Sequence, residues 1–259
     1  NYNGVDTINA DLLDIDRKLL DQKATLAKNY GGMQTGSFGQ IITSKNGNAE
    51  VSYSNFVESF PVIQNTQAKA YYTIYGEKLA TPRESIGQRE DILSLIVDSK
   101  QQTCADTQVE LRAMYELEQL KQGKKDKIEF KLDDNKKVEY RTDGTYTIFN
   151  GKDVIERKYE GQVGENFEGW VENVQVFTNT GTLKKTLTPI SIEEIKAGDV
   201  ITLHPDKETG YGHTMGVKEI LEIEVFPGVK KRFFRTFAGS DPAIDPRIYP
   251  TLLSEEKLK

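Results

Sequence analysis

Cysteine and histidine are scarce in this sequence, whose 259 residues include one cysteine and two histidines. A single thiol cannot form an intramolecular disulfide, and three such residues are too few for a tetrahedral zinc site built from Cys and His. The sequence also lacks a glycine-rich phosphate loop followed by Lys and Ser or Thr, and its acidic turn residues lack the spacing of a calcium loop. We therefore expect a protein that needs no metal ion or other cofactor.

Long apolar runs and basic blocks are absent as well. No run approaches the ~20 residues that a membrane-spanning helix needs. The formal net charge of -6 offers no positive face to a nucleic acid. The chain begins at Asn1 and not at Met, which is compatible with a processed protein. Its many Asn, Thr, Tyr and Gly residues favour an exported protein, whether periplasmic, attached to the cell surface or secreted.

The composition is that of a folded protein, with 37% hydrophobic and 29% charged residues. Apolar residues at three- and four-residue spacings predict an amphipathic helix over residues 6–29. Strand-like stretches occur at residues 51–56 and 171–177, the second beside the only tryptophan. Alternating apolar and charged residues from 127 to 160, separated by turn signals, predict a β-meander. Three further strands are predicted at residues 200–203, 213–225 and 232–237.

A second helix is predicted from Thr103 or Cys104 to about Gln122, so the only thiol lies in a first helical turn. The positive end of the helix dipole and the free backbone N–H groups there lower a thiol pKa and stabilise an oxyanion. Gln101 or Gln102 could add a side-chain donor to that oxyanion site. The simpler interpretation is that Cys104 is a small buried hydrophobe, the commoner role of a lone cysteine.

A nucleophilic thiolate needs a proton partner, for which histidine is the usual residue. His213 follows Gly212 at the start of a predicted strand, a rigid support from which an imidazole can face a cleft. His204 lies beside Pro205 after the preceding strand, where a loop position is expected. His213 is therefore the candidate base, although a histidine in this context is more often structural.

A third polar side chain would orient the imidazole. Side chains alternate along a strand, so Glu219 shares a face with His213. An antiparallel neighbouring strand would instead bring Thr236, Ser240 or Asp241 to the histidine. Asp241 is preferred because a carboxylate best stabilises an imidazolium, and the other three remain alternatives.

Three short motifs carry a resemblance to a known family, namely Thr103-Cys104-Ala105-Asp106, Ile195-Lys196-Ala197-Gly198-Asp199-Val200-Ile201 and Gly212-His213-Thr214-Met215-Gly216-Val217. In this order they resemble the NlpC-type and CHAP-type members of the papain-like cysteine hydrolases. The resemblance implies an α+β fold in which a helix bearing the nucleophile packs on an antiparallel sheet bearing the histidine. It further implies that Cys104 attacks, that His213 is the base, and that peptide or peptidoglycan amide bonds are cleaved through a thioester acyl-enzyme.

Two departures from the family pattern concern the nucleophile. Thr103 replaces the usual Asp or Asn before the cysteine, and the separation of the cysteine from the histidine is longer than usual, which makes the meander an insertion. The predicted division of the chain is a decorating segment with the N-terminal helix (1–80), the nucleophile helix (81–126), the β-meander (127–165) and the sheet bearing the histidine (166–259).

A non-catalytic exported binding or surface protein is the main alternative. The two hypotheses differ in the thiol, because an enzyme exposes Cys104 in a cleft near His213, whereas a binding protein buries it as a structural residue. A degenerate family member, which keeps the fold and binds without cleaving, is a third possibility.

Overall fold

The computed structural model describes residues 30–37, 52–60, 62–64, 91–93, 103–132, 136–205, 212–239, 247–248 and 252–255. Within these ranges the α-helices are α1 (Tyr53–Ser59), α2 (Cys104–Lys121), α3 (Phe167–Val176) and α4 (Thr180–Thr186), and a 3₁₀ turn covers Ile192–Glu194. The strands are β1 (Tyr30–Ser37), β2 (Val62–Gln64), β3 (Asp91–Leu93), β4 (Lys127–Lys131), β5 (Lys137–Arg141), β6 (Thr145–Phe149), β7 (Val154–Lys158), β8 (Thr188–Pro189), β9 (Val200–Pro205), β10 (His213–Phe226), β11 (Val229–Ala238), β12 (Arg247–Ile248) and β13 (Leu253–Ser254).

The larger sheet is antiparallel and joins strands from distant parts of the chain. Its order is β2-β3-β12-β11-β10-β9-β1-β8, with β13 paired to β11. At its centre β10 and β11 form a long hairpin that turns at Gly228, whose φ of +77° suits a glycine. The strands predicted at residues 200–203, 213–225 and 232–237 are confirmed as β9, β10 and β11. Helices together with antiparallel sheets give the predicted α+β class.

Helix α2 is the central element of the core, because both of its sides are buried. Leu111 and Tyr115 pack with Phe237 of the larger sheet, while Val109 and Ala113 pack with α3 and the smaller sheet. The bounds of this helix confirm the second helix predicted from the sequence. Its position between the two sheets places its first turn next to β10.

The smaller sheet is a four-stranded meander, β4-β5-β6-β7, in the segment where the period-two pattern predicts one. Its inner face packs on α3, with Tyr140 and Phe130 in ring contact with Trp170. The Trp170 indole N–H donates to the Thr147 carbonyl oxygen at 3.0 Å. The packing of this unit is therefore aromatic, and it explains the buried position of the only tryptophan.

The outer face of the meander carries an ion-pair network centred on Glu139. Lys127 Nζ lies 2.7 Å and Lys137 Nζ 3.2 Å from Glu139 Oε1, and the Arg141 guanidinium also donates to this carboxylate. These cations, Lys127 foremost, lower the pKa of Glu139 to about 2. The outer face is thus organised by charge and the inner face by aromatic contacts.

The strand predicted at residues 171–177 is wrong, because helix α3 extends to Val176 and covers nearly all of this stretch. Its β-branched residues favour a strand locally. In the structure, however, Trp170, Val171 and Val174 are buried at helical spacing, while Val176 on the opposite side is 71% exposed. The helical face that fits the meander therefore prevails over local strand propensity.

The strand predicted at residues 51–56 is also wrong, because helix α1 covers most of this stretch. Ser52 caps this helix by accepting a hydrogen bond from the Asn55 N–H at 3.1 Å. Tyr53 and Val57, one helical turn apart, are both buried. The cap and the buried pair together outweigh the strand propensity of the aromatic residues.

Other sequence predictions fall beyond these ranges. The amphipathic helix predicted over residues 6–29 lies outside the described residues. The division into segments 1–80, 81–126, 127–165 and 166–259 stays a prediction. In the part of the chain that the structure describes, no helix combines the length and the apolar character needed to cross a membrane.

Candidate functional site

Cys104 is the first residue of α2, as the sequence predicts. The Thr103 N–H donates to Asp106 Oδ2 at 2.8 Å, and the Thr107 N–H donates to the Thr103 carbonyl oxygen at 3.3 Å. These bonds close the first helical turn around the cysteine. Burial raises the pKa of Asp106 to about 6, although the hydrogen bonds from Thr103 oppose the shift.

The thiol of Cys104 contacts the start of α4 and the first residues of β10. Thr180 Oγ1 lies 3.7 Å from Cys104 Sγ, and Thr214 Oγ1 donates to Thr180 Oγ1 at 3.1 Å. The backbone N–H groups of Thr214 and Ala105 also stabilise negative charge on the sulfur. The Cys104 side chain is 8% exposed and belongs to an apolar cluster that includes Met215.

Burial dominates the acidity of this thiol. Loss of solvation raises the pKa of Cys104, and the hydrogen bonds from Thr180 and from the Thr214 N–H oppose that rise without cancelling it. The prediction of a lowered thiol pKa is therefore wrong in direction. The helix dipole is a local effect that the sequence reveals, whereas the burial involves α4, whose Thr180 is 76 residues from the cysteine.

His213 is the first residue of β10 and the chain neighbour of Thr214, which contacts the thiol. The structure thus brings Cys104 to the segment of β10 that carries the predicted base. His213 pairs with Leu203 of β9. Burial lowers the pKa of the His213 imidazole to about 4, so the ring is neutral at neutral pH. Since the thiol is protonated there as well, the two groups carry no formal charge at rest.

Two alternatives for the third residue are far from the histidine. Glu219 pairs with Arg235 at 2.9 Å and lies six positions along β10 from His213, which corresponds to about 20 Å of strand. Thr236 pairs with Val217, about 13 Å along the same strand from His213. Neither side chain is placed to orient the imidazole.

The remaining predicted residues lie outside the described residues. These are the oxyanion candidates Gln101 and Gln102 and the orienting candidates Ser240 and Asp241. Strand β11 runs towards the His213 end of β10 as it reaches its last residue, Ala238. The assignment of Asp241 as the orienting residue stays a prediction.

Thr180 also contacts the thiol, and the sequence analysis did not predict this contact. It is the first residue of α4, whose cap Asn179 accepts a hydrogen bond from the Thr182 N–H at 3.0 Å. A Cβ atom at Gly212 would lie 2.9 Å from Thr180 Cγ2, so a glycine is needed for this close approach. The glycine before His213 is thus the one local signal of the contact.

Buried carboxyl groups line the side of α2 that faces α3. Gln175 Nε2 donates to Glu110 Oε2 at 3.2 Å and to the Asp106 carbonyl oxygen at 3.3 Å. Among the described residues, no group of three or more His, Cys, Asp and Glu side chains could hold a metal ion. The Glu110 carboxylate thus takes part in a hydrogen bond between α2 and α3, whereas the Asp106 carboxylate accepts from the Thr103 N–H.

Acid is expected to destabilise the fold through His213. Its pKa is about 4 in the folded chain against 6.5 when exposed. Between these values only the unfolded imidazole binds a proton, so the free energy of unfolding falls as the pH falls, by at most about 3–4 kcal/mol. Asp106, whose pKa is raised to about 6, acts in the opposite direction. Urea unfolding of His213→Asn, with His204→Asn as control, measures the histidine contribution alone. A pH dependence that His213→Asn leaves unchanged contradicts the assignment.

A family model matches the segment of the chain that contains the thiol and the histidine. The family model for DUF4846, a domain of unknown function, matches residues 44–224. This range includes Cys104, His213 and the whole meander, and it ends before β11. No curated protein and no solved structure matches the chain. Because the match covers more than half of the 259 residues, the chain belongs to the DUF4846 family.

Proposed function

We propose that this protein is a papain-like cysteine hydrolase that cleaves amide bonds in peptides, with Cys104 as the nucleophile and His213 as the base. One observation carries the proposal, namely that the sulfur lies in the first turn of α2 and against the N–H of Thr214, the neighbour of His213. The thiol, hydrogen-bond donors and the residue next to His213 thus lie close together, which supports the roles proposed for Cys104 and His213.

The reaction starts from a neutral thiol and a neutral imidazole. His213 accepts the thiol proton while the sulfur attacks the amide carbonyl carbon, and the Cys104 N–H with Gln101 or Gln102 stabilises the resulting oxyanion. The imidazolium then gives this proton to the leaving amine as the C–N bond breaks and the thioester forms. A water molecule, deprotonated by the same imidazole, then attacks the thioester carbon. The C–S bond breaks, the carboxylic acid leaves, and the imidazolium returns its proton to the Cys104 sulfur, so no cofactor takes part.

Thr180 and Thr214 would offset the poor solvation of the thiolate. The Thr180 hydroxyl and the Thr214 N–H both lower the pKa of Cys104, although burial prevails in the resting protein. As the proton moves to His213, these donors hold the negative charge that forms on sulfur. Asp241 is proposed to orient the imidazolium that forms at the same time.

Peptides of the bacterial cell wall are the proposed substrates. The resemblance of the three motifs to NlpC-type and CHAP-type hydrolases supports this substrate class. An exported location, whether periplasmic, on the cell surface or secreted, would bring the protein to that substrate.

A non-catalytic binding protein is the second candidate function. The burial of Cys104, which is 8% exposed, and the raised pKa of its thiol favour this alternative. Structural cysteines are buried and inert, whereas nucleophilic ones are partly exposed and acidic. The reactivity of the thiol in the folded protein therefore decides between the two functions.

Iodoacetamide is expected to alkylate Cys104 of the folded protein slowly at neutral pH and faster as the pH rises, because burial raises the pKa of the thiol. If His213 is the base, His213→Ala slows alkylation by about tenfold or more. His204→Ala, which removes the other histidine, is the matched control and leaves the rate unchanged. The rate is followed by mass spectrometry of the intact protein.

A covalent intermediate provides the direct test of hydrolysis. The wild-type protein is mixed with peptidoglycan stem peptides and quenched with acid, and an added acyl mass on the peptide containing Cys104 is expected. Cys104→Ala abolishes the adduct, whereas His204→Ala retains it. Absence of the adduct, together with alkylation that occurs only on unfolding, means that the cysteine is structural and supports the binding protein instead.

A further inference from the structure

A cleft of about 310 Å³ opens between α2, β4 and α4, away from the thiol. Its apolar part is formed by Phe130 and Leu183, both of which are largely buried. Arg112 of α2, which also lines the cleft, is eight residues from Cys104, or about 12 Å along the helix axis. None of the residues that line the cleft contacts the thiol, although Leu183 lies three residues along α4 from Thr180, which does. The volume of the cleft lies at the lower end of the range for small-molecule sites.

Positive charge predominates on the walls of this cleft. Four cations line it, namely Arg112, Lys125, Lys127 and Lys131, against the two carboxylates of Glu116 and Glu129. The formal charge of the lining is thus +2, in a protein whose net charge is -6. A local excess of the opposite sign attracts an anion despite the overall charge.

Both carboxylates of the cleft are already engaged by cations. Glu116 is paired with Arg112 and with Lys125. Glu129 accepts from Lys127 at 3.1 Å and from Lys137, outside the lining, at 3.0 Å. The negative groups of the cleft are consequently not available to neutralise a further lysine.

Of the four cations that line the cleft, Lys131 is the one that is not paired with either carboxylate. Among the described residues it forms no ion pair, and it lies directly opposite Lys137 across the β4–β5 ladder. Lys137 is itself paired with Glu129 and Glu139, so Lys131 is the cation of this ladder position to which a bound anion can pair. The opposite wall is comparatively fixed, because the Arg112 guanidinium stacks on Tyr53 at 4.7 Å and on Tyr115 at 5.3 Å.

We propose that this cleft binds an acidic peptide fragment of about dipeptide size, with a carboxylate at Lys131 and an apolar side chain on Phe130 and Leu183. The charge excess selects an anion, and the apolar floor selects a carboxylate that is joined to an apolar group over a bare inorganic ion. The carboxylate can come from an acidic side chain or from a free peptide C-terminus. Binding does not require a reaction at Cys104, so the proposal is independent of the proposed hydrolysis.

The test is an NMR titration of the isotope-labelled full chain with N-acetyl-leucyl-glutamic acid amide. Amide signals of Lys131, Leu183 and Thr186 are expected to shift with millimolar affinity. The glutamine analogue, which lacks the charge, is expected to bind much more weakly. An N-acetyl-leucyl-alanine probe with a free C-terminus shows whether a terminal carboxylate binds as well as one on a side chain. Added salt is expected to weaken binding of either acidic probe.

Matched charge variants locate the binding group. Lys131→Gln is expected to weaken binding of the glutamate probe about threefold to fivefold, the usual range for one exposed charge pair. Lys152→Gln removes the same charge from the exposed β6–β7 turn, outside the cleft, and leaves the affinity unchanged. The spectra of both variants report directly whether the fold is retained.

Several results overturn the proposal. Equal binding of the glutamate and glutamine probes removes the role of the charge. Equal effects of Lys131→Gln and Lys152→Gln remove the role of this cleft. If inorganic phosphate produces the same shifts with the same affinity, the apolar floor does not contribute to binding. If neither acidic probe produces a shift, the cleft does not bind the proposed fragment.

Discussion

Lys218→Met is expected to lower the free energy of unfolding by about 3 kcal/mol, because it removes three charge-assisted hydrogen bonds. Lys218 lies on β10 and is 6% exposed. Its Nζ donates to the carbonyl oxygens of Val57 at 2.5 Å, Glu58 at 2.8 Å and Phe60 at 3.1 Å. These carbonyls lie at the C-terminal end of α1 and at its cap Phe60, where the helix leaves backbone acceptors available. The Val57 carbonyl oxygen also accepts from the Phe60 N–H at 3.3 Å. The loss is measured by urea unfolding monitored by far-UV circular dichroism.

The control for this prediction is a lysine of the same sheet in a different environment. Lys230 on β11 is exposed, and Lys230→Met is expected to change the free energy of unfolding by less than about 0.5 kcal/mol. Burial lowers the pKa of Lys218, and the nearby charges of Glu219 and Glu58 oppose that shift. Equal losses in the two variants contradict the role assigned to Lys218 in attaching α1 to the sheet.

Gly216→Ala is expected to destabilise the protein by about 3 kcal/mol, the upper part of the range for overpacking a core. A Cβ atom at this position would collide with Gln108 Oε1 and with the ring of Phe237. Phe237 is fully buried, and Gln108 Nε2 donates to the Phe237 carbonyl oxygen at 3.5 Å. Relief of the clash moves α2 away from β10, so the alkylation rate of Cys104 also rises.

Gly169→Ala is the matched control for this second prediction. Gly169 lies inside α3, where an added Cβ atom meets nothing within 4 Å. Alanine there is expected to raise the free energy of unfolding by up to about 1 kcal/mol, because it is the better helix former. Thermal unfolding of both variants, with alkylation of Cys104 as the second readout, tests the argument. A Gly216→Ala protein as stable as wild type shows that the helix does not rest on the sheet at this point.

Local patterns predicted much of the fold. The helix at Cys104 and the strands β9 to β11 follow from periodicity, and so does the meander, because each of these elements has a regular apolar face. His204, expected in a loop, instead lies in β9. The failures at residues 51–56 and 171–177 concern short stretches of aromatic and β-branched residues. Their local preference is for strands, and contacts with distant residues decide otherwise.

The candidate site was predicted only in part, because the sequence reveals local features but not contacts between distant segments. Cys104 at a helix start and His213 at a strand start are local features, and both lie at the predicted positions. The direction of the thiol pKa and the contact with Thr180 depend on burial by segments far away in sequence. Lys218, which holds α1, gave no signal at all, because an isolated lysine in a strand is usually solvated.

The attachment of α1 to Lys218 has a consequence for folding during synthesis. The meander and the β10–β11 hairpin pair neighbouring segments and can form soon after they are made. Val57, by contrast, is 161 residues from Lys218, an interval that takes roughly 8–30 s at usual rates of translation. Until then the apolar side of α1, with Tyr53 and Phe60, lacks its final cover. This early segment is therefore the place where a chaperone is expected to bind the nascent chain.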